Sequence, residues 1–173
     1  MIYYYAALAG YPEVAKKLDN PNILTSYVEK PSLTKIKSLG ANKVFLDSGA
    51  FTALNTGKPI NIKEYIDFCH KNKGYEVYAG LDVIGNPIAS AKNFDIMTKE
   101  GVNILPAFHV GSDYKYLYDL MDKYEYIAVG GVASRQSSGQ INKKAIMRAM
   151  IKIHKSAKVN NTKLHGFGIT NWN

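Results

Sequence analysis

Residues 43–52 read KVFLDSGAFT, and the first group able to do chemistry is Asp47. Lys43 to Leu46 have the apolar character of a buried strand. Asp47, Ser48 and Gly49 follow with no spacer. A carboxylate at the mouth of an apolar strand has two readings. Asp and Ser can cap the next helix through a βα turn. Alternatively Asp47 is a catalytic acid or base whose pKa is tuned by its surroundings for proton transfer.

Polar residues recur after the other apolar runs. Asp82 follows YAGL, His109 follows LPAF, Gly130 and Gly131 follow YIAV, and His165 and Gly166 lie in KLHGFGIT. An aspartate such as Asp82 can accept two N–H bonds from a guanine-like edge, a match of geometry assisted by charge. Adjacent glycines let backbone N–H groups approach a flat ligand, or cradle a phosphate. Each residue also has a structural reading. Asp82 can cap a turn, and His165 can be a hydrogen-bonded core histidine. Recurrence at corresponding positions weighs toward a shared site.

The elements that must position these residues are strands at Ile2–Leu8, Ile23–Val28, Lys43–Leu46, Glu76–Leu81, Asn103–Phe108, Tyr126–Val129 and Lys163–Phe167. Helical signals lie between them. Ser32 can cap a helix that Gly40 closes. Asn61 and Glu64 approximate a capping box, with Ile62, Tyr65, Ile66 and Cys69 as the apolar stripe. Asn86 and Pro87 start a helix that Gly101 ends, and Ser112 starts another. The last helix is expected over Ile141–Lys158, after the polar loop SRQSSGQ at 134–140. Its expected buried stripe is Ile141, Ala145, Ala149, Met150 and Ile153.

Repeated β-then-α units imply an α/β fold with a parallel sheet. The unit length suits a doubly wound sheet or a (β/α) TIM-type barrel. A complete eight-stranded barrel typically needs about 250 residues, and the chain has 173. The expectation is therefore one domain over 1–173, an incomplete barrel of about seven parallel strands lacking the last β/α unit. In a parallel barrel the strand ends share one face, where sites are built. Open first and last strands would favour association, so a homo-oligomer is expected.

Net charge is +8, and its location is informative. Residues 126–173 hold eight Lys and Arg side chains and no Asp or Glu, so the whole excess sits there. An acid-free basic segment is an electrostatic footprint for phosphates, while its bland reading is a solvated helix face. Lys144, Arg148, Lys152 and Lys155 recur at helical spacing, which makes tRNA or DNA the expected partner. No run of about 18 apolar residues is present, so no membrane span is expected. The start, MIYYYAALAGYP, lacks a basic leader region. A single cysteine, Cys69, excludes an internal disulfide and a cysteine-rich zinc site, and points to the cytoplasm.

LDSGAF, LDVIGNP, AFHVG, VGGV and HGFGI, in this order, resemble the tRNA-guanine transglycosylase superfamily, in particular its short bacterial and phage 7-deazaguanine transglycosylase-like proteins. The resemblance runs from about Lys43 to Ile169. It implies a (β/α)8 barrel that exchanges guanine for a 7-deazaguanine in tRNA or DNA, without a cofactor. By motif, Asp47 would be the general acid/base of the DSG signature, with Ser48 beside the base. Asp82 would read the Watson–Crick edge of the purine. Gly130 and Gly131 would contact its carbonyl oxygen through the backbone. His109 stands where the tRNA enzymes place a glutamine. His165, Gly166 and Gly168 match the segment lining the pocket floor. Two departures stand out. The cysteine-rich zinc site has no equivalent here, and the family's nucleophilic Asp belongs to an eighth strand beyond the segment matching HGFGI. Base binding without efficient exchange is therefore expected. Two alternatives are a non-catalytic nucleobase or nucleic-acid-binding protein, and a barrel hydrolase holding a metal through Asp47, Asp82, His109 and His165.

Overall fold

Val44, Phe45 and Leu46 are all buried, as a central strand requires. They belong to β3 (Val44–Asp47), flanked by β2 (Ile23–Ser26) and β4 (Val77–Ala79). The computed structural model describes residues 2–132 and 143–168. The first sheet has the order β1-β2-β3-β4-β5, with β1 at Tyr5–Ala6 and β5 at Ile104–Leu105. A second sheet has the order β6-β7-β8, formed by Ala107–His109, Tyr126–Gly130 and Lys163–Gly166. The registers of β1 to β4 and of β6 to β8 are parallel. The protein is thus α/β with two parallel sheets.

The helices are α1 (Pro12–Ala15), α2 (Leu33–Lys37), α3 (Ala50–Thr56), α4 (Ile62–Lys71), α5 (Pro87–Lys99), α6 (Tyr114–Lys123) and α7 (Lys143–Val159). Two of the expected caps are present. Ser32 accepts from the Lys35 N–H at 3.4 Å, and Asn61 accepts from Lys63 at 2.9 Å and Glu64 at 3.4 Å. For α6 the cap is Asp113 rather than Ser112. The Ser112 N–H is held by the His109 carbonyl at 3.0 Å in the preceding turn, so the capping position falls one residue later. Asp113 accepts from the Lys115 N–H at 2.9 Å.

The strands expected at Ile23–Val28 and Glu76–Leu81 are shortened to Ile23–Ser26 and Val77–Ala79, and two others differ more. The run at 103–108 is not one strand. Pro106 has no N–H for a ladder and separates β5 from β6. Its carbonyl accepts from the Ala128 N–H at 2.8 Å, so it pairs on the β7 side. The first strand is cut to Tyr5–Ala6 because Ala7 turns left-handed (φ 61°) into a short 3-10 helix at Leu8–Gly10.

The backbone divides into two compact units. Unit 1 comprises Met1–Val83 and Ala89–Ile104; unit 2 comprises Ile84–Ile88 and Leu105–Asn173. The core of unit 1 is built from Ile23, Phe45, Leu46, Tyr65 and Met97. The core of unit 2 includes Leu117, Ile127, Val129 and Ile153. In α7 the buried stripe is Ile146, Met150, Ile153 and Ala157; Ala145 is exposed and Ala149 half-buried, contrary to expectation. Ile141 and the loop at 134–140 lie outside the described residues. Among the described residues no helix is long and apolar enough to cross a membrane.

Candidate functional site

Unit 1 brings Asp47, Ser48 and Asp82 together. β3 is apolar up to Leu46 and releases its chain at Asp47. Gly49 then takes φ 79°, a left-handed conformation that turns the chain straight into α3. The Asp47 carboxylate accepts the Gly49 N–H at 3.0 Å, and the Ser48 hydroxyl accepts the Ala50 N–H at 3.4 Å. These are the turn bonds that the bland reading requires. The same turn leaves Ser48 fully buried, with its hydroxyl donating to the Asp82 carboxylate at 3.4 Å. That bond is long for O–H···O, but it ties the ends of β3 and β4 through residues 34 apart in sequence.

Asp47 is not electrostatically ordinary. Its pKa is lifted from 3.8 to about 6. Burial is the largest cause. The Gly49 N–H opposes it, the Asp82 charge reinforces it, the Ser48 N–H opposes it, and Glu29 adds a last increment. A carboxyl with that pKa exchanges its proton near neutral pH, as general acid–base catalysis requires. Tyr65 lies within reach of the charges of both Asp47 and Asp82. It is buried, and its hydroxyl donates to the Ala79 carbonyl at 2.7 Å, next to the segment that delivers Asp82.

Two contributors escaped the sequence reading. Ser26 ends β2 in register with Asp47. Its Oγ is buried and has no hydrogen-bond partner among the described residues. Glu29 is exposed two residues beyond Tyr27, yet its charge reaches Asp47. A polar residue closing an apolar strand was the available signal for Ser26, the same signal that singled out Asp47.

Unit 2 brings His109, Gly130 and Gly131 together. His109 ends β6 in register with Gly130, which ends β7. The His109 ring lies over Gly130 so closely that a Cβ there would stand 3.4 Å from its Cε1. The Gly130 carbonyl already accepts from the Val110 N–H at 3.0 Å, and Gly131 takes φ 76°. His165 and Gly166 on β8 are in register with Ala128 and Val129. Burial lowers the His165 pKa to about 4, so its ring is neutral at pH 7. That ring meets Phe167 edge-on, 4.8 Å between centroids.

On α7, Lys144, Arg148, Lys152 and Lys155 are all exposed. Lys152 differs from the other three in lying 3.7 Å from the centroid of the Tyr114 ring on α6. Among the described residues, no group of three or more His, Cys, Asp or Glu side chains is placed to hold a metal ion. The hydrolase alternative therefore has no ligand set there.

No family model, curated protein or solved structure matches the chain.

Proposed function

We propose that unit 1 binds a purine-type base, and that the protein performs or derives from base exchange at an N-glycosidic bond. The base would be guanine or a 7-deazaguanine, and its carrier tRNA or DNA. The observation that carries this reading is the Asp47–Ser48–Asp82 arrangement. One carboxyl, Asp47, has its pKa raised to about 6 by burial, and a second, Asp82, whose charge reaches it, accepts from the buried hydroxyl of the adjacent Ser48. Departure of a base from a sugar carbon passes through an oxocarbenium-like transition state and leaves charge on the base. A protonated Asp47 can donate to the departing base, and its carboxylate can accept from the incoming one. Asp82 accepts N–H bonds from the purine edge while Ser48 fixes its orientation. A carboxylate that holds the base is not free to attack the sugar, so base binding is the primary readout. The same reading carries the proposal of a (β/α) barrel, supported by parallel strands that follow chain order within each sheet.

The test is calorimetric titration of the protein with guanine and a 7-deazaguanine. Asp82→Asn should weaken binding by about tenfold or more, because an acceptor is replaced by a group that is half donor. Asp47→Asn should change it by less than about threefold, since its role lies in the transition state. Incorporation of labelled guanine into tRNA or DNA, lost in Asp47→Asn, would establish exchange. Absence of binding to any purine would end the proposal.

A further inference from the structure

The outward face of α7 carries a row of exposed basic side chains. Successive helix residues are separated by about 100°. With the direction of Ile146, Met150, Ile153 and Ala157 taken as inward, Lys144, Arg148 and Lys155 fall within about 30° of the opposite direction. All three are exposed, and none is in an ion pair among the described residues. No Asp or Glu occurs anywhere in residues 126–173, so nothing on α7, β7 or β8 offsets them.

Lys152 is turned aside from this row. Its ammonium lies 3.7 Å from the Tyr114 centroid, and Tyr114 in turn packs against Phe108, 6.0 Å between centroids. A cation over an aromatic face is attracted by the ring quadrupole. Lys152 therefore links α7 to α6 and is engaged within the fold.

We propose that the outward face of α7 docks the phosphate backbone of a polynucleotide, with Lys144, Arg148 and Lys155 as the contacts and Lys152 as the residue that fixes the helix. From Lys144 to Lys155 the row spans about 16 Å, comparable with a few successive phosphates of one strand. A lipid surface is a poorer occupant. An interfacial helix needs a broad apolar face to insert, and here the broad apolar stripe packs inward. The exposed large apolar residues of α7 are Met147 and Ile151 on one flank and Val159 at its C-terminal end, which together make no broad face. The row contacts phosphates and no base edges, so binding is independent of sequence. The inference stands on unit 2 alone and does not depend on base binding by unit 1.

The experiment is fluorescence anisotropy of labelled single-stranded and duplex DNA with the full chain, from about 20 to 200 mM salt. Log affinity should fall linearly with log salt, and two unrelated sequences should agree within about threefold. Replacing Lys144, Arg148 and Lys155 together by Ala should reduce the steepness of that slope by about two to three. Lys152→Ala should leave the slope unchanged, where loss of one phosphate contact would lower its steepness by about 0.7 to 0.9, and should lower the thermal midpoint instead. Helical content by circular dichroism should be unchanged in the triple variant, since Ala is the best helix former. Phosphatidylserine-containing vesicles serve as the competing anionic surface. No binding at low salt, an unchanged slope in the triple variant, or vesicle binding with no DNA binding would each overturn the proposal.

Discussion

Gly49 decides where Asp47 and Ser48 can stand. Its φ of 79° is strained for any residue with a Cβ. A Cβ there would also collide with the Val28 side chain and lie 2.8 Å from Ser26 Oγ. Gly49→Ala is therefore expected to cost about 2–4 kcal/mol, combining backbone strain with overpacking. Urea denaturation checks this, and a midpoint equal to that of the native chain would contradict the packing described. At this scale the sequence displays Asp47, Ser48 and Gly49 openly, because a polar triplet after an apolar run is a local signal. The Ser48–Asp82 hydrogen bond is not local. It depends on β3 and β4 lying side by side, which only the register establishes. The pKa of Asp47 is also hidden in one dimension, since its largest cause is burial by the rest of unit 1.

Helix α7 shows why an element can be foreseen and its rotation missed. The absence of Pro and Gly marks a long helix, and it runs Lys143–Val159. Of the expected inward residues Ile141, Ala145, Ala149, Met150 and Ile153, Met150 and Ile153 are buried, but Ile146 and Ala157 complete the stripe in place of Ala145 and Ala149, and Ile141 lies outside the described residues. Met147 and Ile151 form a second apolar row at the same spacing, so periodicity alone leaves the phase open. Alanine sits on either face at little cost. Packing against β8 settles the choice. Two nearby isoleucines then separate the alternatives. Ile153 is 0% exposed and Ile151 is 49% exposed. Ile153→Ala should cost about 2–5 kcal/mol through lost burial and a residual cavity. Ile151→Ala should cost less than about 1 kcal/mol. Equal shifts in the two denaturation midpoints would show the helix to be rotated from the position described. Pro106 is a kindred case: its missing N–H was plain in the sequence, but the apolar run around it outweighed that signal.

For the molecule as a whole, the partition of charge is readable from composition, whereas its response to pH between 4 and 7 is not, because among the described residues it is set by two half-buried groups, one in each unit. Asp47 has its pKa raised to about 6, so the folded state holds its proton more tightly than the unfolded state does. Its charged form is disfavoured above pH 6 by about 3 kcal/mol, and that penalty is relieved as pH falls from 6 toward 4. His165 has its pKa lowered to about 4, so the unfolded state holds the proton more tightly. Its contribution is fully present above about pH 6.5 and is lost as pH falls toward 4, again by about 3 kcal/mol. Between pH 4 and 6.5 the two terms have opposite signs and similar size, so together they leave stability nearly level. Single substitutions should uncouple them. Asp47→Asn removes the term that grows on acidification, so this variant should lose stability steeply from pH 6.5 to 4. It should also exceed the native chain in stability at pH 7, because a disfavoured buried charge is gone. His165→Gln removes the opposing term, so this variant should gain stability over the same interval. Urea midpoints of the three proteins at pH 4, 5, 6 and 7 measure these slopes. Parallel profiles would mean that neither group titrates in the folded state as its burial requires, and the proton-transfer role of Asp47 would lose its physical basis.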